Sequence, residues 1–407
     1  MSRLDELIKE LCPDGVEQIE LGDIIFETKE RNKECRYDQV RSVTNTGILV
    51  PTSEYFDKQI TSEDTSNYKV VRKGMFAYNP SRINIGSIAW SKENEPVIVS
   101  PMYIVFDIKR EKVSQEYLMY YLRSGIGMHK INSKVEPGAR FRLPIESLSK
   151  ITIPLPPPPV QQEIVRILDK FTELTAELTA ELTARRKQYE YYRDLLLTFG
   201  DDVDWKPLEE VFEMKNGYTP SKSEPLYWEN GTIPWFRMED IRENGRILSD
   251  SIQHITPEAV KGNLFPAYSI ILATSATIGE HALLTVDALA NQRFTFLTRR
   301  QEYLSKLDMK FFYYYCFILD EWCKDNVTLG NFLSVDMTKL RKYKIPVPPL
   351  EEQERIVAIL DRFDALCNDL TSGLPAEIEA RKKQYEYYRD KLLSFKALPS
   401  KDEEAVK

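Results

Sequence analysis

Few stretches of this sequence have the residue types and spacing of a catalytic motif. Asn79-Pro80-Ser81-Arg82 is the nearest match to the (Asn/Asp)-Pro-Pro-aromatic loop that encloses a flipped adenine, but Ser and Arg stand where proline and an aromatic residue belong. Pro13-Asp14 and the later Glu27-Thr28-Lys29 loosely resemble a carboxylate–lysine nuclease pattern. Such strings arise often by chance, because 29% of the residues are charged. We interpret the first string as a turn and the second as coincidence.

Other catalytic and metal-binding patterns are missing from the sequence. It contains no G-x-x-x-x-G-K-[ST] phosphate loop and no G-x-S-x-G nucleophile elbow. The five cysteines have no C-x-x-C spacing, so neither a disulfide framework nor a structural zinc site is expected. The three histidines are far apart. We therefore expect no catalytic residue, no metal site and no cofactor bound by this chain itself.

Length and composition indicate a folded protein of several domains. A chain of 407 residues corresponds to two or three domains. Its 22 Tyr and 18 Phe are ample for more than one core. No stretch approaches the roughly 20 apolar residues of a membrane span, and the N-terminus has no apolar signal core. We therefore expect a cytoplasmic protein without a membrane partner.

The net charge of −8 is unevenly distributed. Residues 1–152 carry 22 basic and 22 acidic side chains, and residues 205–344 carry 17 and 18. Basic residues cluster within both segments, at Arg123, Lys130, Lys134, Arg140, Arg142 and Lys150, and again at Lys339, Arg341, Lys342 and Lys344. Local clusters of this kind suit phosphate contact better than the total charge suggests. A solvated surface is the alternative interpretation.

An internal repeat is the strongest signal in the chain. The segment from Ile153 to Phe171 (IPLPPPPVQQEIVRILDKF) matches the segment from Ile345 to Phe363 (IPVPPLEEQERIVAILDRF) without a gap. The eight residues KQYEYYRD at 187–194 recur identically at 383–390, with four extra residues near Ser372 to Pro375. Because the period is far too long for a solenoid, the repeat indicates duplication of a unit made of a domain and a helix.

Each repeated block predicts a long helix after a proline run, since proline is not tolerated inside a helix. Apolar residues then follow at alternating spacings of three and four, as in the seam of a coiled coil. These seam positions are Ile164, Ile167, Phe171, Leu174 and Leu178, and in the second copy Ile356, Ile359, Phe363, Leu366 and Leu370. Thr-Ala-Glu-Leu repeats at 175–182 extend the first helix. Two such helices most economically pack on each other.

The segments between the helices predict mixed globular domains. Short strands are expected at 75–78, 85–90, 269–273 and 293–297, and helices at 116–122 and 310–316. Weak similarity links the halves at Ile85-Gly-Ser-Ile-Ala and Ile278-Gly-Glu-His-Ala. Elsewhere the globular parts diverge, so the pattern favours two similar frames that hold two different recognition surfaces.

This organisation resembles the specificity subunit of type I restriction-modification enzymes, over nearly the whole chain. The resemblance rests on the two proline-led helix blocks, the Thr-Ala-Glu-Leu repeats and the paired KQYEYYRD blocks. The Thr-Ala-Glu-Leu element next to the tyrosine block most resembles the type IC branch. In the second half, the segments 233–241 and 274–279 also resemble the target-recognition domains of that family.

The resemblance implies an α+β fold in which two globular α/β target-recognition domains are separated by two long helices that form an antiparallel coiled coil. The corresponding segments are residues 1–152, 153–200, 201–344, 345–396 and a tail at 397–407. It implies a non-catalytic subunit that reads a bipartite, asymmetric site in double-stranded DNA, one half-site per domain. Two methyltransferase subunits with S-adenosylmethionine would dock on it for adenine N6 methylation. Motor-nuclease subunits would use ATP and Mg²⁺ for translocation and cleavage.

Base-reading residues are expected in two aligned loops and a third polar run. Asn and Gln can pair bidentately with adenine, and Arg with guanine. The candidates are Asn79, Ser81, Arg82 and Asn84 in the first half, and Thr274, Ser275, Thr277, Asn291, Gln292 and Arg293 in the second. Phosphate contacts are expected from Lys130, Lys134, Arg140, Arg142, Lys339, Arg341 and Lys342. The alternative is that such loop residues only satisfy backbone groups in turns.

Two other functions compete with DNA recognition. The chain could be a scaffold whose coiled coil is the functional element and whose globular halves bind proteins. It could also be a stand-alone DNA enzyme, which the missing motifs and the three histidines disfavour. Salt-dependent DNA binding separates the first alternative from DNA recognition, because phosphate contacts release counterions.

Overall fold

The computed structural model describes residues 2–55, 64–135, 141–328, 333–369 and 371–398. The helices are α1 (Arg3–Leu11), α2 (Thr52–Tyr55), α3 (Gln115–Arg123), α4 (Gly125–Ser133), α5 (Ile145–Ser149), α6 (Pro158–Leu196), α7 (Leu208–Val211), α8 (Met238–Asn244), α9 (Met309–Asp325), α10 (Met337–Lys342), α11 (Leu350–Asn368) and α12 (Leu374–Leu392). Short 3₁₀ turns lie at Leu21–Asp23, Ile83–Ile85, Pro225–Tyr227, Pro257–Ala259 and Gln301–Tyr303. None of the helices in these ranges is long and apolar enough to cross a membrane.

The strands are short throughout the described ranges. They are β1 (Glu17–Glu20), β2 (Ile25–Glu27), β3 (Val40–Val43), β4 (Leu49–Pro51), β5 (Lys69–Val71), β6 (Phe76–Tyr78), β7 (Ile88–Trp90), β8 (Val97–Val99), β9 (Ile104–Ile108), β10 (Thr152–Leu155), β11 (Asp204–Pro207), β12 (Phe212–Asn216), β13 (Ile233–Phe236), β14 (Ile247–Leu248), β15 (His254–Ile255), β16 (Ile270–Ala273), β17 (His281–Leu284), β18 (Leu289–Ala290), β19 (Phe294–Arg299), β20 (Val327–Thr328), β21 (Ser334–Val335) and β22 (Lys344–Val347).

The chain divides into two compact units. The first contains residues 1–179 and 377–407, and the second contains residues 180–376. The boundaries between the units fall inside α6 and α12, so each of these helices contributes residues to both units. Each unit therefore holds one globular domain, the beginning of the helix that follows it, and part of the helix from the other copy of the repeat. The predicted α+β class with duplicated domains and long conserved helices is confirmed.

The first unit contains two four-stranded sheets and a two-stranded one. Their strand orders are β2-β9-β6-β7, β4-β3-β8-β5 and β1-β10. The described residues of the second unit form a related but different set: a five-stranded sheet of order β12-β19-β16-β17-β14, a three-stranded sheet of order β15-β13-β18, and the pairs β11-β22 and β20-β21. The predicted strands at 75–78, 269–273 and 293–297 are confirmed by β6, β16 and β19. The strand predicted from Ile85 begins only at Ile88, because Gly86 has a positive φ of 86° that ends a 3₁₀ turn.

The predicted helix starts are close to those observed. Helix α6 begins at Pro158, inside the proline run, because the first turn of a helix needs no proline N–H. Helix α11 begins at Leu350, after its proline pair. Strands β10 and β22 precede these helices and cross the predicted domain boundaries at residues 152 and 344.

The second conserved region differs from the prediction of one continuous helix. Helix α11 ends at Asn368 and α12 begins at Leu374. Both carboxylate oxygens of Asp369 accept hydrogen bonds from Thr371 and Ser372 in the intervening turn. These bonds hold the pKa of Asp369 below its usual range. The four extra residues of the second copy therefore form a capped break between two helices.

The predicted coiled-coil seam is only partly a helix–helix contact. Ile164 and Ile356 are fully buried in the cores of the globular domains, because the first turns of each helix pack against the domain that precedes them. Ile167, Phe171, Leu178, Ile359 and Phe363 are half-buried, whereas Leu174 and Leu366 are 37% and 38% exposed. Leu370 lies outside the described residues.

The helix contacts in the second unit are antiparallel. Nη2 of Arg186 donates to the carbonyl oxygen of Cys367, and the ring of Tyr192 stacks on that of Phe363. Contacts therefore move back along α11 as they advance along α6. In the first unit the ring of Phe171 stacks on that of Tyr388. The residues of this second pair are the repeat equivalents of Phe363 and Tyr192.

A buried glutamine joins each helix to its own globular domain in the same way. Gln161 donates to the carbonyl oxygens of Lys112 and Pro156 and accepts from the N–H of Ser114. The same three bonds in the second unit join Gln353 to Lys306, Pro348 and Asp308. The duplicated frame therefore extends to individual hydrogen bonds, beyond the repeated sequence alone.

Candidate nucleic-acid interface

The first candidate loop follows β6 and ends before β7. The N–H of Leu143 donates to the carbonyl oxygen of Pro80 at 2.9 Å, and the hydroxyl of Tyr78 donates to the carbonyl oxygen of Leu143 at 3.1 Å. These bonds bring the segment around Leu143 alongside the loop. As a result, the exposed residues Ser81 and Arg82 lie next to the exposed Arg142.

The equivalent loop of the second domain is held by the same bond. The N–H of Val335 donates to the carbonyl oxygen of Thr274 at 2.9 Å. Ser275 and Thr277 are half-exposed beyond this point. Val335 and Leu143 occupy equivalent places, since each precedes a short helix and the strand that leads into the conserved helix.

The third candidate segment, Asn291–Arg293, lies beside the second loop. The N–H of Thr274 donates to the carbonyl oxygen of Arg293 at 3.0 Å. The hydroxyl of Thr219 donates to Oε1 of Gln292 at 2.5 Å. Gln292 and Arg293 are exposed, so this segment and the loop present one continuous polar edge. No sequence pattern points to Thr219, which lies 73 residues earlier in the chain.

Some candidates have their polar groups engaged within the protein. Oδ1 of the buried Asn79 accepts from the N–H of Ser81, and the buried Thr274 hydroxyl bonds that of Thr295. Oδ1 of Asn291 accepts from the N–H of Arg293. For these three residues the structure favours the alternative interpretation, in which short polar side chains stabilise a turn.

Lys130 also differs from the expectation of a free phosphate contact. Its ammonium group donates to the carbonyl oxygen of Thr152 at 2.7 Å and lies 5.8 Å from the ring centre of Tyr121. Partial burial lowers the pKa of Lys130. The ammonium group of Lys130 therefore stabilises the start of β10 and is not free to contact a phosphate.

The other basic candidates remain at the surface. Lys134 and Arg142 are exposed in the first domain, and Lys339, Arg341 and Lys342 are exposed on α10 in the second. Within the described ranges none of these five side chains pairs with a carboxylate. Asn84 is half-exposed. Arg140 lies outside the described residues.

A buried ionisable pair supports the second loop from behind. His281 follows the loop in β17, and its Nδ1 lies 2.6 Å from Oδ2 of Asp320 on α9. Nη1 of Arg246 is 3.7 Å from the same carboxylate oxygen. The equivalent residue of the first domain is the fully buried Ile88. The two loops therefore have similar backbone paths but pack on different residues, an ionisable pair in the second domain and an aliphatic side chain in the first.

The side chains on these two surfaces are of types that bind nucleic acids. Hydroxyl, amide and guanidinium groups form a shallow polar surface in each domain. Among the residues that the structure describes, no group of three or more His, Cys, Asp or Glu side chains could hold a metal ion. Hydrogen-bond donors, acceptors and unpaired positive charge suit recognition of base edges and phosphates.

Comparison with known proteins agrees with the duplication. The sequence matches the type I restriction modification DNA specificity domain twice, over residues 13–185 and 201–380. It is 43% identical over 316 residues to the Escherichia coli type I restriction enzyme EcoR124I/EcoR124II specificity subunit, which covers 73% of this chain and 74% of that protein. It is 57% identical over 208 residues to the Escherichia coli EcoprrI specificity subunit, which covers 49% of this chain and only 52% of that protein.

Solved structures show the same fold. A chain from a structural study of the assembly and conformational transition of a type I restriction-modification system superposes with a TM-score of 0.63 at 20% identity, covering 94% of this chain and 98% of that one. The HsdS subunit of Thermoanaerobacter tengcongensis gives a TM-score of 0.53 at 19% identity, covering 95% and 99%. Two matched domains account for most of the sequence, and the chain therefore belongs to the type I restriction-modification DNA specificity family, as a specificity subunit with two copies of the family's domain.

Proposed function

We propose that this chain reads a bipartite DNA sequence, with one half-site for each globular domain. The observation that carries the proposal is the contrast between an identical frame and different surfaces. The glutamine contacts, the ring stacks and the bond at Leu143 or Val335 recur in both units. The loop residues that this frame presents differ in charge and type, with Arg82 and Asn84 in the first domain and Thr277 in the second. Such an arrangement suits a protein that recognises two different half-sites and binds the same partner subunits beside each.

The exposed basic side chains support DNA as the ligand. Arg82 and Arg142 in the first domain and Arg293 in the second have no carboxylate partner within the described residues. Unpaired positive charges at a surface favour phosphate contact, whereas the polar loops between them can reach base edges. DNA binding by the assembled complex should therefore weaken as the salt concentration rises.

The repeated tyrosine block supports docking of two copies of one partner. Tyr191 and Tyr387 are equivalent residues, and their side chains are 64% and 63% exposed. Tyrosine is enriched at protein interfaces. Two identical, equally exposed patches fit two identical methyltransferase subunits, which would carry S-adenosylmethionine for N6 methylation of adenine. Motor-nuclease subunits with ATP and Mg²⁺ would join the same cytoplasmic assembly.

The long helices support a role in setting the distance between half-sites. The Thr-Ala-Glu-Leu repeats lie in the middle of α6, where the side chains are mostly exposed. The number of repeats, and with it the length of α6, can therefore change without repacking of a hydrophobic core. The assignment to the type IC branch rests on these repeats and stays a prediction.

Methylation mapping tests the proposed function. N6-methyladenine would be mapped across the genome of cells that express this chain with its methyltransferase subunit, and of cells that lack only this chain. We expect a bipartite methylated sequence that disappears without the chain. Unchanged methylation would contradict the proposal and favour the protein-interaction scaffold.

A further inference from the structure

Each domain contains a pair of parallel neighbouring strands at the equivalent place in the chain, and the second domain has a further parallel pair, β14 with β17. In the first domain β3 runs parallel to β8, with Arg41 opposite Val99. In the second domain β13 runs parallel to β18, with Phe236 opposite Ala290. Because parallel strands end at the same edge of a sheet, the segments that follow the two strands are neighbours.

In the second domain this edge is polar and adjoins the candidate DNA surface. Strand β18 leads directly into Asn291–Arg293, and β13 leads into Arg237. The N–H of Asn291 donates to the carbonyl oxygen of Phe236 at 3.1 Å, which places Arg237 beside this segment. The guanidinium of Arg237 lies 5.8 Å from the ring centre of Trp235.

In the first domain the same edge consists of a hairpin tip and a turn. Residues 44–48 connect the antiparallel strands β3 and β4, and residues 100–102 follow β8. Two large apolar side chains are mostly exposed here, with Ile48 at 57% and Met102 at 62%. The exposed Asn45 adds a polar group to the same tip.

The hairpin tip is fixed against the first candidate loop. The hydroxyl of Ser87 donates to the carbonyl oxygen of Val43 at 3.1 Å, and Nη2 of Arg123 donates to that of Asn45 at 3.2 Å. Gly86 has a φ of 86°, and a Cβ at this position would lie 2.9 Å from the Asn45 oxygen. The tip and the loop therefore form one packed surface, in which the apolar side chains are held outward.

We propose that the edge at the ends of β3 and β8, and the equivalent edge at the ends of β13 and β18, read bases, and that in the first domain Ile48 and Met102 read thymine methyl groups. This inference rests on the proposed function. A two-stranded β-ribbon fits the major groove, where the thymine methyl group is the apolar feature of the base edges. At the equivalent edge of the second domain, Arg293 of the surface described above is joined by Arg237, whose Nε lies 4.0 Å from Oε2 of Glu239. Arginine suits the acceptor atoms of guanine instead.

Replacement of thymine by uracil tests the proposal, because it removes only the methyl group. The complete complex with the methyltransferase subunit would methylate duplexes in which each thymine of the mapped target is replaced in turn. For the wild-type chain we expect about a fourfold loss of methylation rate at one or two positions within one half-site, equivalent to about 0.8 kcal/mol for one buried methyl group.

Two variants identify the side chains responsible. Complexes with Ile48→Ala or Met102→Ala should lose the sensitivity to uracil at the position that each residue contacts. Phe26→Ala is the matched control, since Phe26 is also an exposed apolar residue of the first domain, at 49%, but lies in β2 of the other sheet. It should keep the wild-type pattern.

The possible results separate this proposal from the function on which it rests. The absence of A·T pairs from the half-site read by the first domain, or wild-type methylation that is insensitive to uracil, would overturn the proposal and leave the bipartite function intact. Failure of Ile48→Ala to assemble with the methyltransferase subunit would also overturn it, because the edge would then bind a protein. Loss of the bipartite methylated sequence itself would instead refute the proposed function.

Discussion

The ring of Phe171 stacks on the ring of Tyr388, with centroids 5.7 Å apart and planes 24° apart. Their repeat equivalents, Phe363 and Tyr192, stack at 5.8 Å and 25°. In each unit, the helix that follows the globular domain thus packs on the tyrosine block of the other copy. The duplication therefore completes each unit with a segment that belongs to the opposite half of the sequence.

The ring stack predicts a loss of stability when one partner is truncated. Phe171→Ala should lower the free energy of unfolding by about 1–2 kcal/mol, because it removes a stacked, half-buried ring. Urea denaturation monitored by circular dichroism would show an earlier transition. Tyr191→Ala is the matched control, since Tyr191 is 64% exposed in the other tyrosine block and its ring packs on Tyr192 rather than on Tyr388. Equal effects of the two variants would contradict the assignment.

The glutamine contact predicts a larger effect. Gln161→Ala removes three hydrogen bonds and leaves the N–H of Ser114 without its partner, which should cost about 2–4 kcal/mol. Gln162→Ala, at the exposed neighbouring residue, should change stability little. The two variants can be compared by thermal unfolding. A neutral Gln161→Ala variant would show that the glutamine does not join helix to domain.

Cysteine reactivity tests the burial of Cys323 in the hydrophobic core of the second unit. Burial raises the pKa of Cys323 to about 12, from an ordinary value of 9.0. Because the raised pKa belongs to the folded state, the neutral thiol favours folding below about pH 9, and this contribution is lost as the pH rises from 9 towards 12. Iodoacetamide at pH 8 should therefore label the exposed Cys35 and leave Cys323 unmodified. Mass spectrometry of the peptides shows which cysteines are labelled. Rapid labelling of Cys323 in the native protein would contradict its burial.

The Thr-Ala-Glu-Leu repeats predict a change of spacer. Four residues inserted after Leu182 lengthen α6 by roughly 6 Å and rotate its far end by about 40°, whereas DNA rises about 3.4 Å per base pair. The methylated sequence of the insertion variant should keep both half-sites and change the number of bases between them. Altered half-sites with an unchanged spacer would show that the helix is not a ruler.

Repetition and periodicity made the duplicated helices, several strands and the central loops predictable from sequence. The repeat also contained Gln161 and Gln353, but their role depends on backbone groups of the domain, which no local pattern reveals. The burial of Ile164 and Ile356 in the domain cores was not predictable, because periodicity shows which face of a helix is apolar and not what covers it. The break at Asp369 depends on capping by a turn that the alignment showed only as four additional residues.

The site was less predictable than the fold. Loop composition identified Ser81, Arg82 and Arg293 at the surface, but it could not distinguish them from Asn79 and Thr274, whose polar groups bond within the turns. No sequence motif predicts the edge at the ends of β3 and β8, or the position of Arg237 beside Asn291–Arg293. The equivalence of the two edges depends on strand pairing between distant segments.

We infer that each domain determines one half-site. The most direct test of this inference is genome-wide N6-methyladenine mapping with two double variants, Ser81→Ala/Arg82→Ala in the first domain and Gln292→Ala/Arg293→Ala in the second, each expressed with the methyltransferase subunit. We predict that each variant relaxes or alters only one half-site, a different one in each case, and preserves the other half-site and the spacer. A variant of one domain that altered both half-sites, or two variants that altered the same one, would show that the domains do not each determine one half-site.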